Sequence, residues 1–159
     1  MKKMLFIAFF AICGLGTANA QSFNAGVNLG LPAGDADMVS SFVLGGEVNY
    51  MFTSDDTFNY GVTAGINFFF KKDPFDNASF LPIAASGRYN LSEDFVLGAD
   101  LGYALGLSPS GNDGGFYYKP MLGYNLSEKM MVTASYSTVN VSNGGGNWGS
   151  FGLGLMFGL

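Results

Sequence analysis

The sequence contains no histidine, and its only cysteine is Cys13, close to the N-terminus. The lack of histidine excludes a Ser-His-Asp triad and most transition-metal sites. The lack of any cysteine after Cys13 excludes a disulfide framework and thiol chemistry in the rest of the chain. We therefore expect neither a cofactor nor a resident metal.

Charged residues are also scarce. They make up 12% of the chain, about half of the share found in a typical soluble domain. Acidic residues outnumber basic ones, for a formal net charge of −5. Such a chain lacks the basic footprint by which proteins bind nucleic acid, so a nucleic-acid partner is excluded.

An apolar run at residues 4–16 is too short for a transmembrane helix, which needs about 20 residues. Lys2 and Lys3 precede it, and Ala18-Asn19-Ala20 follows it as a small-residue cleavage site. We predict that residues 1–20 are a signal peptide and that residues 21–159 form one domain.

Strict two-residue alternation dominates the remainder. In the stretch Phe95–Leu107, one face is continuously apolar and the other is small or polar, as expected for a β-strand. A Tyr-Asn-Leu-Ser-Glu turn precedes this stretch at residues 89–93 and recurs at residues 124–128. An inward glycine such as Gly102 should accept serine more easily than outward Leu101 accepts arginine, unless the lumen is too tight for the added side chain.

Alternation and turn signals together predict eight strands. Their approximate extents are Ser22–Leu31, Ser41–Phe52, Phe58–Phe70, Leu81–Tyr89, Phe95–Leu107, Phe116–Tyr124, Lys129–Val141 and Phe151–Leu159. Pro120 predicts a bulge in the sixth strand, because proline removes a backbone donor.

The second face of these strands is too poor in charge to serve as a water-exposed surface. It suits instead the narrow, side-chain-filled interior of an eight-stranded barrel, while the apolar face meets lipid. We therefore predict an all-β fold: an eight-stranded antiparallel up-and-down transmembrane β-barrel.

Aromatic residues lie where the strands should cross the two membrane boundaries. Transmembrane barrels carry a girdle of aromatic residues at each boundary, so we predict two such girdles here. The girdle near the tight turns comprises Tyr50, Phe58, Tyr60, Tyr89, Phe95 and Tyr124. The girdle near the longer loops comprises Phe42, Phe68, Phe80, Phe116, Tyr118 and Trp148.

With this pattern the chain resembles small eight-stranded outer-membrane barrels of the OmpA/OmpX kind. Its repeated turns are similar to those of outer-membrane barrel domains of Bacteroidetes-type bacteria. The resemblance implies the outer membrane of a Gram-negative bacterium, outer-membrane lipid as the surroundings, and the outer-membrane assembly machinery and periplasmic chaperones as partners. The enzymes known among such barrels depend on histidine, so we expect no enzyme.

Four charged residues occupy inward positions within the predicted strands: Glu47, Arg88, Asp100 and Lys119. Their charges cancel, and buried charges are costly unless they are paired. We therefore expect a lumenal charge network, either a structural plug or a gate or proton-conducting constriction. Glu47 and Asp100 fall on non-adjacent strands, which argues against a catalytic carboxylate pair.

Loop acids offer a weaker possibility. Asp35 and Asp37, and separately Asn112 and Asp113, supply oxygen ligands of the kind that calcium accepts. Their spacing matches no twelve-residue calcium loop, so we interpret them as solvated loop residues.

Three functions remain open at this stage. The first is a non-enzymatic integral outer-membrane protein with an envelope-structural or surface-interaction role. The second is a narrow channel for small solutes or ions. The third is a soluble periplasmic ligand-binding barrel, which the missing polar exterior disfavours.

Overall fold

The structure is a computed structural model that describes residues 21–53, 57–72 and 76–159. The predicted signal peptide, residues 1–20, lies outside the described residues. Its removal, and the domain boundary at residue 21, therefore remain predictions.

Within the described ranges, eight antiparallel strands form a closed barrel in which each strand pairs with the next and the last pairs with the first. The strands are β1 (Gln21–Gly34), β2 (Ser40–Thr53), β3 (Phe58–Lys71), β4 (Ala78–Asn90), β5 (Phe95–Ser108), β6 (Gly115–Ser127), β7 (Met130–Val141) and β8 (Asn147–Gly158). Strands that cross a bilayer at a tilt need about 9–11 residues, and all eight reach that length. The predicted fold class is confirmed.

The alternation in β5 shows why the sequence forms this wall. Leu101 leaves 56% of its surface exposed on the outside, whereas its neighbour Asp100 is fully buried inside. The same two-residue period runs from Phe95 to Leu107 without a break. Because the period is two, one face of every strand is apolar and turned outward.

Outward aromatic rings pack across neighbouring strands near both ends of the barrel. At the end that carries the longer loops, the loop end, Phe42 stacks on Phe70 with ring centroids 4.3 Å apart. At the opposite end, the turn end, Phe95 meets Tyr124 at 5.0 Å. These pairs fit the predicted girdles.

Two members assigned to the loop-end girdle were wrong. Phe80 is fully buried in the core of the barrel, and Trp148 packs against that core. Both positions have the inward parity of their strands, so their rings fill the lumen instead of facing lipid.

The bulge predicted at Pro120 was also wrong. Pro120 pairs with Ala99 of β5, and the β6–β7 pairing keeps one register from Tyr118 to Met121. Proline removes one donor from the β7 side of the ladder, but the chain continues through it without an extra residue.

The loop between β1 and β2 contains a short helix, α1 (Asp35–Val39), and a 3-10 turn (Ser142–Gly144) precedes β8. Neither was predicted, because five residues are too few to show a helical period. In the part of the chain that the structure describes, no helix is long and apolar enough to cross a membrane.

Gly102 faces inward as predicted, but the space beside it is smaller than expected. A Cβ atom at this position would lie 2.6 Å from Ala84 Cα and would also meet the carbonyl oxygen of Ile83. Both are backbone atoms of β4, which cannot move aside alone. Serine is therefore not a mild substitution at Gly102.

The depth of Leu101 in the wall gives a first testable prediction. Leu101→Arg should lower the free energy of unfolding by about 2–4 kcal/mol, because the residue faces outward at the middle of β5. Leu107→Arg is the matched control on the same strand and face, but at the loop end, and should cost about 0–1 kcal/mol. Urea unfolding in lipid vesicles measures both, and equal losses would contradict this placement.

Candidate functional site

The four inward charges form one chain of ion pairs across the lumen. Arg88 Nη1 lies 2.7 Å from Asp100 Oδ1, and Asp100 Oδ2 lies 3.7 Å from Lys119 Nζ. Lys119 Nζ also donates a hydrogen bond to Glu47 Oε2. We refer to Glu47, Lys119, Asp100 and Arg88 as the ion-pair chain.

Strand register brings three of these residues together. Asp100 on β5 pairs directly with Lys119 on β6 and with Ser86 on β4. Arg88 follows Ser86 by two residues, so it shares the same face and its long side chain reaches back to Asp100.

Glu47 comes from the opposite side of the barrel. It lies on β2, four strands away from Lys119 on β6 in the closed order. The Lys119–Glu47 pair therefore spans the lumen instead of running along one wall. The sequence argument that set Glu47 and Asp100 apart on non-adjacent strands holds, yet both carboxylates contact the same lysine.

Burial makes the pairing energetically important. The side chain of Asp100 is completely inaccessible, and those of Arg88 and Lys119 are 7% and 5% exposed. Unpaired charges in such surroundings would be strongly destabilising, whereas two acids and two bases in contact compensate each other. Arg88 Nη2 and Asp100 Oδ2 nevertheless have no hydrogen-bond partner among the described residues.

A second layer of inward side chains lies at the loop end. The rings of Phe69, Phe80 and Trp148 meet in pairs with centroids 5.3–5.8 Å apart, and Tyr117 is buried in the same cluster. We call these four residues the aromatic plug. Lys71, at the loop end of β3, contacts the plug, with Nζ 5.0 Å from the centroid of the Trp148 ring.

The sequence analysis missed the plug, although a signal was present. Most other inward positions are small, polar or charged, with Val43, Val96 and Val139 among the apolar exceptions, and four bulky aromatics at inward parity depart from that pattern. Parity within each strand identifies them without the structure.

The turn end of the lumen is more open. A cavity of about 300 Å³ enters the barrel there, and we call it the vestibule. Its polar lining includes the asparagines Asn24, Asn49, Asn59, Asn90 and Asn125. Its apolar lining includes the methionines Met51, Met130, Met131 and Met156, and Arg88 also lines it.

The loop acids that could have held calcium have other neighbours. Asp35 accepts a hydrogen bond from the backbone of Asn147 at 2.8 Å. Asn112 donates instead to the carbonyl oxygen of Ser108, at 3.0 Å. Across the described ranges, no group of three or more acids, histidines or cysteines is close enough to hold a metal ion.

Residues 5–157 match the model of the outer membrane protein beta-barrel domain. The chain belongs to this family. Membership of this family places the protein in the outer membrane of a Gram-negative bacterium, in contact with membrane lipid. The predicted localisation is thereby confirmed, and a soluble periplasmic barrel does not fit it.

Solved structures show the same architecture. The attachment invasion locus protein Ail of Yersinia pestis aligns with a TM-score of 0.59 at 14% identity, over 90% of this chain and all of Ail. Neisserial surface protein A gives 0.57 at 15% identity, over 89% and 99% of the two chains. The N-terminal barrel of OprF from Pseudomonas aeruginosa gives 0.54 at 14%, over 89% and 100%. A comparison with curated protein sequences gives no match.

The ion-pair chain supplies the second prediction. Asp100→Asn should lower the free energy of unfolding by about 3–5 kcal/mol, because it leaves Arg88 and Lys119 with one carboxylate between them. Asp94→Asn, an exposed position in the turn before β5, is the matched control and should change it by about 0.5 kcal/mol or less. Urea midpoints in lipid vesicles test both, and an unchanged midpoint for Asp100→Asn would show that the chain is not stabilising.

Proposed function

We propose that this protein is a non-enzymatic outer-membrane barrel with a closed lumen, which acts through its outer loops in an envelope-structural or surface-interaction role. The observation that carries the proposal is the double obstruction of the lumen. The aromatic plug fills the loop end, and the ion-pair chain crosses the barrel below it.

Closure follows from the size of the barrel. Eight strands enclose an interior just wide enough for side chains. Phe69 and Phe80 are almost completely buried, so the plug leaves little free cross-section at its depth. The Lys119–Glu47 pair bridges opposite walls at a second depth. A solute would have to displace rings and break buried ion pairs.

The same contacts argue against catalysis. Both lumenal carboxylates, Glu47 and Asp100, hold basic side chains and are not free to act as general acid and base. The hydroxyl groups of Thr63 and Ser86 lie 2.6 Å apart and bond to each other. The chain has no histidine to activate them as nucleophiles.

The outer loops support a role at the surface because they hold one another in place. The Lys72 ammonium group donates to the carbonyl oxygen of Asp37 at 3.1 Å, and the Lys72 amide donates to that of Val39 at 2.8 Å. The Asp35 carboxylate in turn accepts a hydrogen bond from the backbone amide of Asn147. This linkage joins α1 to the loops before β4 and β8, and Met38 remains 73% exposed on top of it.

The names of two similar structures point in the same direction. One is an attachment invasion locus protein and another is a surface protein. Those names describe the relatives, and the shared fold is what supports extending a surface role to this chain. Folding through the outer-membrane assembly machinery and periplasmic chaperones is part of the same proposal.

A narrow channel is the alternative, and the vestibule favours it. This cavity already opens about 300 Å³ of the lumen from the turn end and reaches Arg88. A channel would need only the ion-pair chain and the plug to move.

Planar-bilayer recordings separate the two functions. The wild-type protein should show no steady ion-selective conductance, because both obstructions are intact. The triple variant Phe80→Ala, Trp148→Ala, Lys119→Ala removes ring volume and the cross-lumen ion pair, so it should conduct ions. Its conductance also serves as a control, because it shows that the barrel inserts into the bilayer under these conditions. Steady conductance in the wild type would establish the channel instead.

Surface exposure of the loops can be measured on intact cells. An epitope inserted at Gly111, an exposed loop position where a side chain would meet no atom within 4 Å, should bind antibody without permeabilisation. The same epitope at Asp94, in a tight turn, should bind only after lysis, because short turns of such barrels face the periplasm. The reverse labelling pattern would mean that the longer loops face the periplasm, and a surface role for them would then have no basis.

A further inference from the structure

The lining of the vestibule includes a buried arginine, Arg88, whose hydrogen bonds are incomplete. Arg88 Nη1 donates to the carbonyl oxygens of Gly87 and Ala99, at 2.9 and 3.3 Å, as well as to Asp100. Arg88 Nη2 has no partner among the described residues, although Arg88 is only 6% exposed. A buried charged donor without an acceptor is costly, so the guanidinium of Arg88, a residue of the vestibule lining, has one hydrogen bond still to make.

One of the surrounding amide groups, that of Asn49, also lacks a good acceptor. Asn24 Nδ2 donates to Asn49 Oδ1 at 2.8 Å. Among the described residues, Asn49 Nδ2 has only the sulfur of Met156 as an acceptor, at 3.6 Å, and a thioether accepts hydrogen bonds weakly. Two donors of the vestibule lining, on Arg88 and Asn49, thus lack a strong acceptor among the described residues.

One charged residue of the vestibule lining, Arg88, lies inside the barrel. Glu47 and Asp100 lie deeper and do not line it, and each already contacts a basic side chain. Lys129 and Glu128 are exposed residues of the vestibule lining and offset each other. Arg88 is thus the charged group that a solute would meet inside, and its guanidinium matches the geometry of a carboxylate or phosphate.

We propose that the vestibule binds a small oxyanion, a carboxylate or a phosphate, which enters from the turn end and accepts a hydrogen bond from the guanidinium group of Arg88. Its volume of about 300 Å³ is at the lower limit of ligand pockets, so the solute is small. Met51, Met156 and Val96 line the same cavity and suit a short apolar portion beside the charged group.

Titration by NMR tests the proposal on the refolded protein in lipid nanodiscs. The probes are acetate, inorganic phosphate and acetamide, the neutral analogue of acetate. We expect saturable shifts of the Gly98 amide, which packs against the Arg88 side chain, with at least one anion. Acetamide should bind at least tenfold more weakly. The tighter of the two anions identifies whether the site prefers a carboxylate or a phosphate.

Two variants connect the binding to the vestibule. Arg88→Lys keeps a positive charge but removes the second terminal nitrogen, so it should weaken binding at least tenfold. Val96→Phe fills the cavity and leaves the ion-pair chain unaltered, so it should abolish binding even if Arg88→Lys fails to fold. Lys72→Gln, at the loop end, is the control and should bind as the wild type does.

Three results would overturn the proposal. The first is the absence of saturable shifts with both anions in the wild type. The second is equal affinity for acetate and acetamide, which would mean that charge is not recognised. The third is unchanged affinity in Val96→Phe, which would place the binding outside the vestibule. None of these depends on the surface role, because the measurement uses the isolated barrel.

Discussion

A wall that lies in lipid must pair all of its backbone N–H and C=O groups within the protein, and this requirement sets the architecture of the barrel. The pairing of β1 with β8 removes the two open edges that a sheet would otherwise expose. Closure of only eight strands then makes the interior narrow, so every inward side chain becomes part of a packed lumen.

Inside that narrow lumen, charge can persist only in compensated form. Asp100 is completely buried, and it contacts both Arg88 and Lys119. The fourth member, Glu47, approaches from the opposite wall, so the ion-pair chain links four strands that are not all neighbours. Together with the aromatic plug it divides the barrel into a filled loop end and an open turn end. This asymmetry underlies both the closed-lumen role and the anion site that we propose.

Much of the wall could be predicted because side chains of a β-strand alternate between its two faces, so the local sequence shows which residues face lipid. The alternation from Phe95 to Leu107 identifies the lipid face of β5, and the turn at residues 89–93 marks where the strand begins. The wrong prediction for Phe80 followed its position near a loop, although its parity in β4 points inward. At Gly102, parity gives the direction of a side chain but not the space available to it, which the β4 backbone limits.

The class of fold, the membrane-facing surface and the inward placement of Glu47, Arg88, Asp100 and Lys119 can be predicted from composition and a two-residue period. Which of these charges meet, and where the lumen is filled or open, cannot be predicted in this way. Such contacts depend on strand register and on which walls face each other after closure. Residues 72 positions apart, such as Glu47 and Lys119, become partners only when the barrel closes.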